Sequence, residues 1–107
     1  MPADPVNAEQ LAITTLAALR NLGPVSSRLL VDAGFRSPEE LRAAGAVEAF
    51  RRVVFHRAGQ VSTNLLWALH GAITDERWDL LPARTRERLR HELDAGGWSS
   101  PQRRRPR

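Results

Sequence analysis

The tripeptide Leu22-Gly23-Pro24 constrains this chain more than any other feature. Upstream of it, Ala8, Leu11, Ala12, Leu16 and Leu19 recur at helical spacing, which predicts a first helix from an N-cap at Asn7 to about Arg20. Downstream, Val25, Leu29 and Ala33 mark the inward face of a second helix. Proline is tolerated in the first turn of a helix, where its missing N–H would have no intrahelical partner. The Gly-Pro pair therefore predicts that one helix stops and the next starts within a few residues.

The rest of the chain reads as more helix. Gly34 is a natural residue to close the second helix, with Phe35 folding back onto the core. Ser37-Pro38-Glu39-Glu40 predicts a capped start, with Ser37 as cap, Pro38 in the first position and Glu40 completing a capping box. Gly45 ends that short helix. Val47, Phe50 and Val54 stripe the next one, with Glu48, Arg51, Arg52 and His56 on its other face and Ala58-Gly59 at its end. Ser62 or Thr63 caps a fifth helix whose wide apolar face is Leu65, Leu66, Leu69, Ala72 and Ile73. A polar turn around Trp78 and the run Leu80-Leu81-Pro82 lead to a last helix, with Leu89 and Leu93 inward and Gly96-Gly97 as its stop. No strand-like alternation and no internal repeat occurs. The expected fold is an all-α bundle of five to six helices with a helix-hairpin-helix-like element. A loose start over 1–6, a folded domain over 7–95 and a disordered Arg-rich tail over 96–107 complete the division.

Length and composition bound the function. A chain of 107 residues is one domain. Cysteine is absent, which removes disulfides, thiolate metal sites and cysteine nucleophiles. Neither a signal peptide nor an apolar run of the ~18 residues a span needs is present, so a cytoplasmic location is expected. The net charge is +4, and all 16 basic residues are arginine. Four of them, Arg103, Arg104, Arg105 and Arg107, stand in the last five positions, and removing them leaves twelve Arg against 12 acids. Most of the basic signal for nucleic acid is thus a tail.

Catalysis finds no support in the sequence. His56, His70 and His91 are far apart, and no zinc-protease, hydrolase-elbow or phosphate-loop motif is present. The acids stand mostly one helical turn from an arginine, the pattern of solvated faces with ion pairs. No enzyme activity, cofactor, metal, membrane or small-molecule substrate is expected.

The turn allows more. Two helices joined by a short loop ending in Gly-Pro resemble a helix-hairpin-helix, in which free amides at the second helix's N-terminus hold a DNA phosphate. Here Asn21-Leu22-Gly23 stands where that motif has Gly-hydrophobe-Gly, and Val25-Ser26-Ser27 separate the turn from the first basic residue, Arg28. A turn used only for packing is the alternative. Candidate phosphate contacts are Leu22, Gly23, Val25, Ser26 and Arg28.

The whole pattern resembles the C-terminal domain of the TfoX/Sxy competence-regulator family. The residues that carry the resemblance are 19–24 (Leu19 to Pro24), 29–35 (Leu29 to Phe35), 37–42 (Ser37 to Arg42), 45–50 (Gly45 to Phe50), 64–72 (Asn64 to Ala72) and 78–82 (Trp78 to Pro82), within about residues 15–94. Full-length members carry a separate N-terminal α/β domain, so this chain resembles a stand-alone C-terminal module. The resemblance implies a helix-hairpin-helix-like fold, a link to transcriptional control of DNA uptake, and no catalytic residues.

Two further surfaces are candidates. Arg84, Arg88 and His91 lie on one side of the last helix, in a stretch over 82–107 that holds eight Arg against three acids. They are either DNA-backbone contacts or a solvated face. Trp67, with Gly71 nearby, either seats a protein partner or second copy of the chain, or belongs to a central helix buried all round. The expected partners are therefore duplex DNA, or a protein partner or homodimer with no nucleic-acid role.

Overall fold

The computed structural model describes residues 5–57 and 61–95. The expected helix stops at Ala58-Gly59 and Gly96-Gly97, and the Arg-rich tail, lie outside the described residues. Six α-helices and one 3₁₀ turn follow in order: α1 (Pro5–Ala17), α2 (Pro24–Asp32), α3 (Pro38–Ala44), α4 (Ala46–His56), α5 (Asn64–Thr74), the 3₁₀ turn (Trp78–Leu80) and α6 (Ala83–Ala95). Among the described residues there is no strand. The fold is all-α, as the sequence predicts.

Local signals explain where helices start and stop. Ser37 is the N-cap of α3, and its Oγ accepts from the Glu40 N–H at 3.2 Å. The Glu40 carboxylate closes the box one residue early, accepting from the Arg36 N–H at 2.7 Å. At the end of α2 the Gly34 N–H donates to the Val31 carbonyl and the Phe35 N–H to the Leu30 carbonyl. That pair of bonds, with Gly34 at φ +103°, is the Schellman closure that favours glycine, and it folds buried Phe35 back onto the core. Gly45, at φ +85°, ends α3 and begins α4 in one residue.

The core runs through the centre of the molecule and is closed around α5. Leu16 of α1, Leu30 of α2, Leu41 of α3, Phe50 and Val53 of α4, and Leu66 and Leu69 of α5 are all fully buried. Helix α1 packs on α2, α2 on α4, and α4 on α3, α5 and α6.

Three sequence expectations shift. Helix α1 starts at Pro5, before the expected cap Asn7, and stops at Ala17 rather than near Arg20. Its inward residues are Ala12, Ile13 and Leu16, while Leu11 is 66% exposed. In α2 the buried set is Ser27, Leu30 and Val31, and Val25 is 77% exposed. The cause is the same in both helices. Leu29-Leu30-Val31 and Leu11-Ala12-Ile13 are unbroken apolar triplets, so helical spacing fits more than one choice of inward face.

Candidate phosphate-binding turn

The link between α1 and α2 is held by its own residues. Asn21 has a left-handed backbone at φ +73°. That conformation suits glycine best and asparagine next, so Asn21 keeps the geometry that the first glycine of Gly-hydrophobe-Gly would supply. Its side chain is fully engaged. Nδ2 donates to the Glu76 carbonyl at 2.7 Å and to the Ala68 carbonyl at 3.4 Å, and Oδ1 accepts from the Trp78 N–H at 3.2 Å. Beside it the Arg20 Nε pairs with Asp75 at 2.9 Å. Arg20 and Asn21 thus clamp the turn to the segment that joins α5 to the 3₁₀ turn.

Beyond the clamp the chain presents an open helix N-terminus. Gly23 is the N-cap of α2 and has no side chain to cap with; Pro24 follows at the first position. The Ser27 N–H donates to the Gly23 carbonyl. No hydrogen bond among the described residues uses the N–H of Gly23, Val25 or Ser26. Gly23 is extended, at φ −114°, and a Cβ placed on it would meet nothing. Its backbone is therefore bare on the outside. The positive end of a helix dipole alone favours an anion by ~0.3–1 kcal/mol at an exposed site, and free amides add charge-assisted hydrogen bonds to it.

The candidate residues divide unevenly over this geometry. Gly23, Val25 and Ser26 stand at the opening. Leu22 does not, because its side chain is buried and its N–H donates to the Leu19 carbonyl at 3.2 Å. Arg28 lies one turn further on, exposed and paired with Asp32 at 3.4 Å. Arg84, Arg88 and His91 are exposed on α6, with Arg88 4.0 Å from Glu92. Among the described residues, no hydrogen bond or ion pair joins the α6 set to the turn.

Trp67 and Gly71 need correction as a partner surface. Trp67 is 4% exposed and Gly71 is buried. The Trp67 ring lies under two guanidinium groups of α6, Arg86 at 6.0 Å and Arg90 at 5.4 Å from its centroid. Gly71 is small because the turn sits on it: a Cβ there would collide with Asn21 Nδ2 and the Glu76 carbonyl oxygen. Helix α5 is central, and α6 and the turn already occupy the face a partner would need.

With this geometry in place, comparison with known families is decisive. The family model for the TfoX C-terminal domain matches residues 12–93. The chain belongs to the TfoX C-terminal domain family. A crystal structure of an uncharacterised protein from Listeria monocytogenes, in a triclinic form, is similar to it, with 30% identity and a TM-score of 0.69. The match covers 79% of this chain and 96% of that one. No curated protein matches the chain.

Beside the turn, this TfoX C-terminal domain carries a groove of about 340 Å³ that the sequence reading missed. Val25 and Leu29 of α2, Arg57 at the end of α4, Asn64 and Ala68 of α5, and Trp78 line it. Trp78 was legible only as part of a polar turn, and Arg57 only as the residue before a helix stop. Their meeting depends on the Asn21 bond to the Trp78 backbone, which no local pattern announces. Among the described residues there is no cluster of His, Asp and Glu fit to hold a metal, and no helix is long and apolar enough to cross a membrane.

Proposed function

We propose that this TfoX C-terminal domain is a non-enzymatic, DNA-associated regulatory module of the bacterial cytoplasm, and that it grips a phosphate of the DNA backbone at the Gly23–Ser26 turn. The observation that carries this reading is the open N-terminus of α2: free amides at Val25 and Ser26 beside a glycine with clear space in front of it. Backbone amides at a helix start hold an anion without any basic side chain. The exposed Arg84, Arg88 and His91 of α6, with the arginines of the tail, add attraction of longer range. Family membership supports a role in regulation, in line with the control of competence genes to which the family is linked. The alternative of a partner or homodimer surface at Trp67 loses its footing with the burial of that ring.

Fluorescence anisotropy with a labelled duplex tests the proposal. The protein with Arg103, Arg104, Arg105 and Arg107 changed to Gln should still bind at low salt and release steeply as salt rises, because phosphate contacts release counterions. Binding that vanishes with the four tail arginines would assign the affinity to the tail and exclude the turn.

A further inference from the structure

The groove next to the turn is lined by both apolar and cationic groups. Its walls are Val25 and Leu29 on one side and Leu65 and Ala68 on the other, and Trp78 faces it with 39% of its surface exposed. Among the described residues, no acidic residue lines it. Arg57 does, and among the described residues Arg57 has neither an ion pair nor a hydrogen bond through its side chain, in a protein whose other arginines mostly pair with a carboxylate or stack on a ring. An occupant matched to these surfaces is flat and apolar at one end and anionic at the other. The volume lies at the lower end of the ~300–1,000 Å³ that small-molecule sites span, enough for one planar ring system and its charged neighbour.

We propose that the groove takes one unpaired base of a single-stranded nucleic acid, stacked against Trp78, with the adjoining phosphate on Arg57. The proposal rests on the nucleic-acid reading of the turn and narrows its substrate to strands that are single or locally opened. A duplex keeps its bases stacked inside and offers the groove nothing to hold, whereas a single strand presents a π-face with every nucleotide. An acidic peptide without an aromatic residue would satisfy Arg57 but would bring no ring to Trp78. A nucleotide joins both, its ring and its phosphate being linked through a single sugar.

The test compares a labelled oligodeoxythymidine with a labelled duplex of the same length, by anisotropy at low salt, on the intact chain and on Trp78→Leu and Arg57→Gln. Leucine keeps the apolar surface and the backbone bond to Asn21, and circular dichroism checks that each variant is folded. Trp78→Phe is a second variant that retains a ring. The intact chain should bind the single strand more tightly than the duplex. Trp78→Leu should weaken the single strand about tenfold, as loss of one stacked base does, and leave the duplex unchanged, and Trp78→Phe should restore most of the difference. Arg57→Gln should weaken the single strand and flatten its salt dependence. Duplex binding with no preference for the single strand, or unchanged single-strand affinity in folded Trp78→Leu, overturns this inference and leaves the turn's proposed role standing. Failure of both nucleic acids to bind overturns both.

Discussion

Asn21 decides the local geometry, and it does so in two separable ways. Its left-handed backbone makes the turn, and its amide ties the turn to Ala68, Glu76 and Trp78. Asn21→Gly keeps the first and removes the second, so it should cost about 1–3 kcal/mol, the penalty of leaving those backbone groups unpaired, measured by urea unfolding. Gly71→Ala is a sharper case. In an ordinary helix interior that change gains up to about 1 kcal/mol, but here the new Cβ would collide with Asn21 Nδ2 and the Glu76 carbonyl, so the variant should be less stable than the parent. Buried Ser27 behaves oppositely, because its Oγ has no partner. Ser27→Ala removes a desolvated hydroxyl, and unfolding should find it equal or more stable. His70 gives the fold a pH dependence. Burial and the nearby Arg88 hold its imidazole below the usual 6.5, against the opposing pull of Glu76 and Glu92. Above that value both folded and unfolded chains are neutral at this site. As pH falls below it the unfolded chain takes up the proton first, so stability drops with pH. Between pH 7.5 and 5.5 the urea midpoint should fall more for the parent than for His70→Asn; equal falls would remove His70 as the cause.

At the scale of elements, legibility followed the range of the signal. The start of α3 was readable from four consecutive residues, Ser37 to Glu40, because a capping box is made by neighbours. The closures at Gly34 and Gly45 were readable because positive φ selects glycine. The inward faces of α1 and α2 were not, since their apolar triplets satisfy more than one register and only packing chooses. The two readings of Trp67 could not be parted for a related reason. What covers it is α6, a helix with few apolar residues, whose Arg86 and Arg90 use their guanidinium planes on the ring. Arg51 then holds the far end of α6, donating to the Glu92 and Leu93 carbonyls at 2.9 and 3.2 Å. These terminal carbonyls lack intrahelical partners, so the guanidinium is a cap supplied from another helix. Trp67→Ala should therefore cost about 3–5 kcal/mol, with α6 amides losing hydrogen-exchange protection first. Loss of protection spread evenly over all helices would contradict a role specific to α6.

At the scale of the molecule, two features that the sequence could not connect lie side by side. The amides at the start of α2 and the groove lined by Arg57 and Trp78 meet because Asn21 binds both the Ala68 carbonyl in the middle of α5 and the backbone of Trp78. The charge of the chain pointed instead to the tail and to α6. The proposed phosphate site at the open amides of α2 can be separated from stability by a single substitution. Ser26 is the third residue of α2, where a carboxylate suits the helix dipole and adds about 0.3–1 kcal/mol to stability. The same carboxylate would stand at the proposed phosphate position. Measured by anisotropy against labelled nucleic acid at low salt, Ser26→Asp should be as stable as the parent or more so, yet bind about tenfold to a hundredfold more weakly, the worth of charge-assisted hydrogen bonds lost to repulsion. Ser26→Ala should bind like the parent. Undiminished binding by a folded Ser26→Asp would contradict the account.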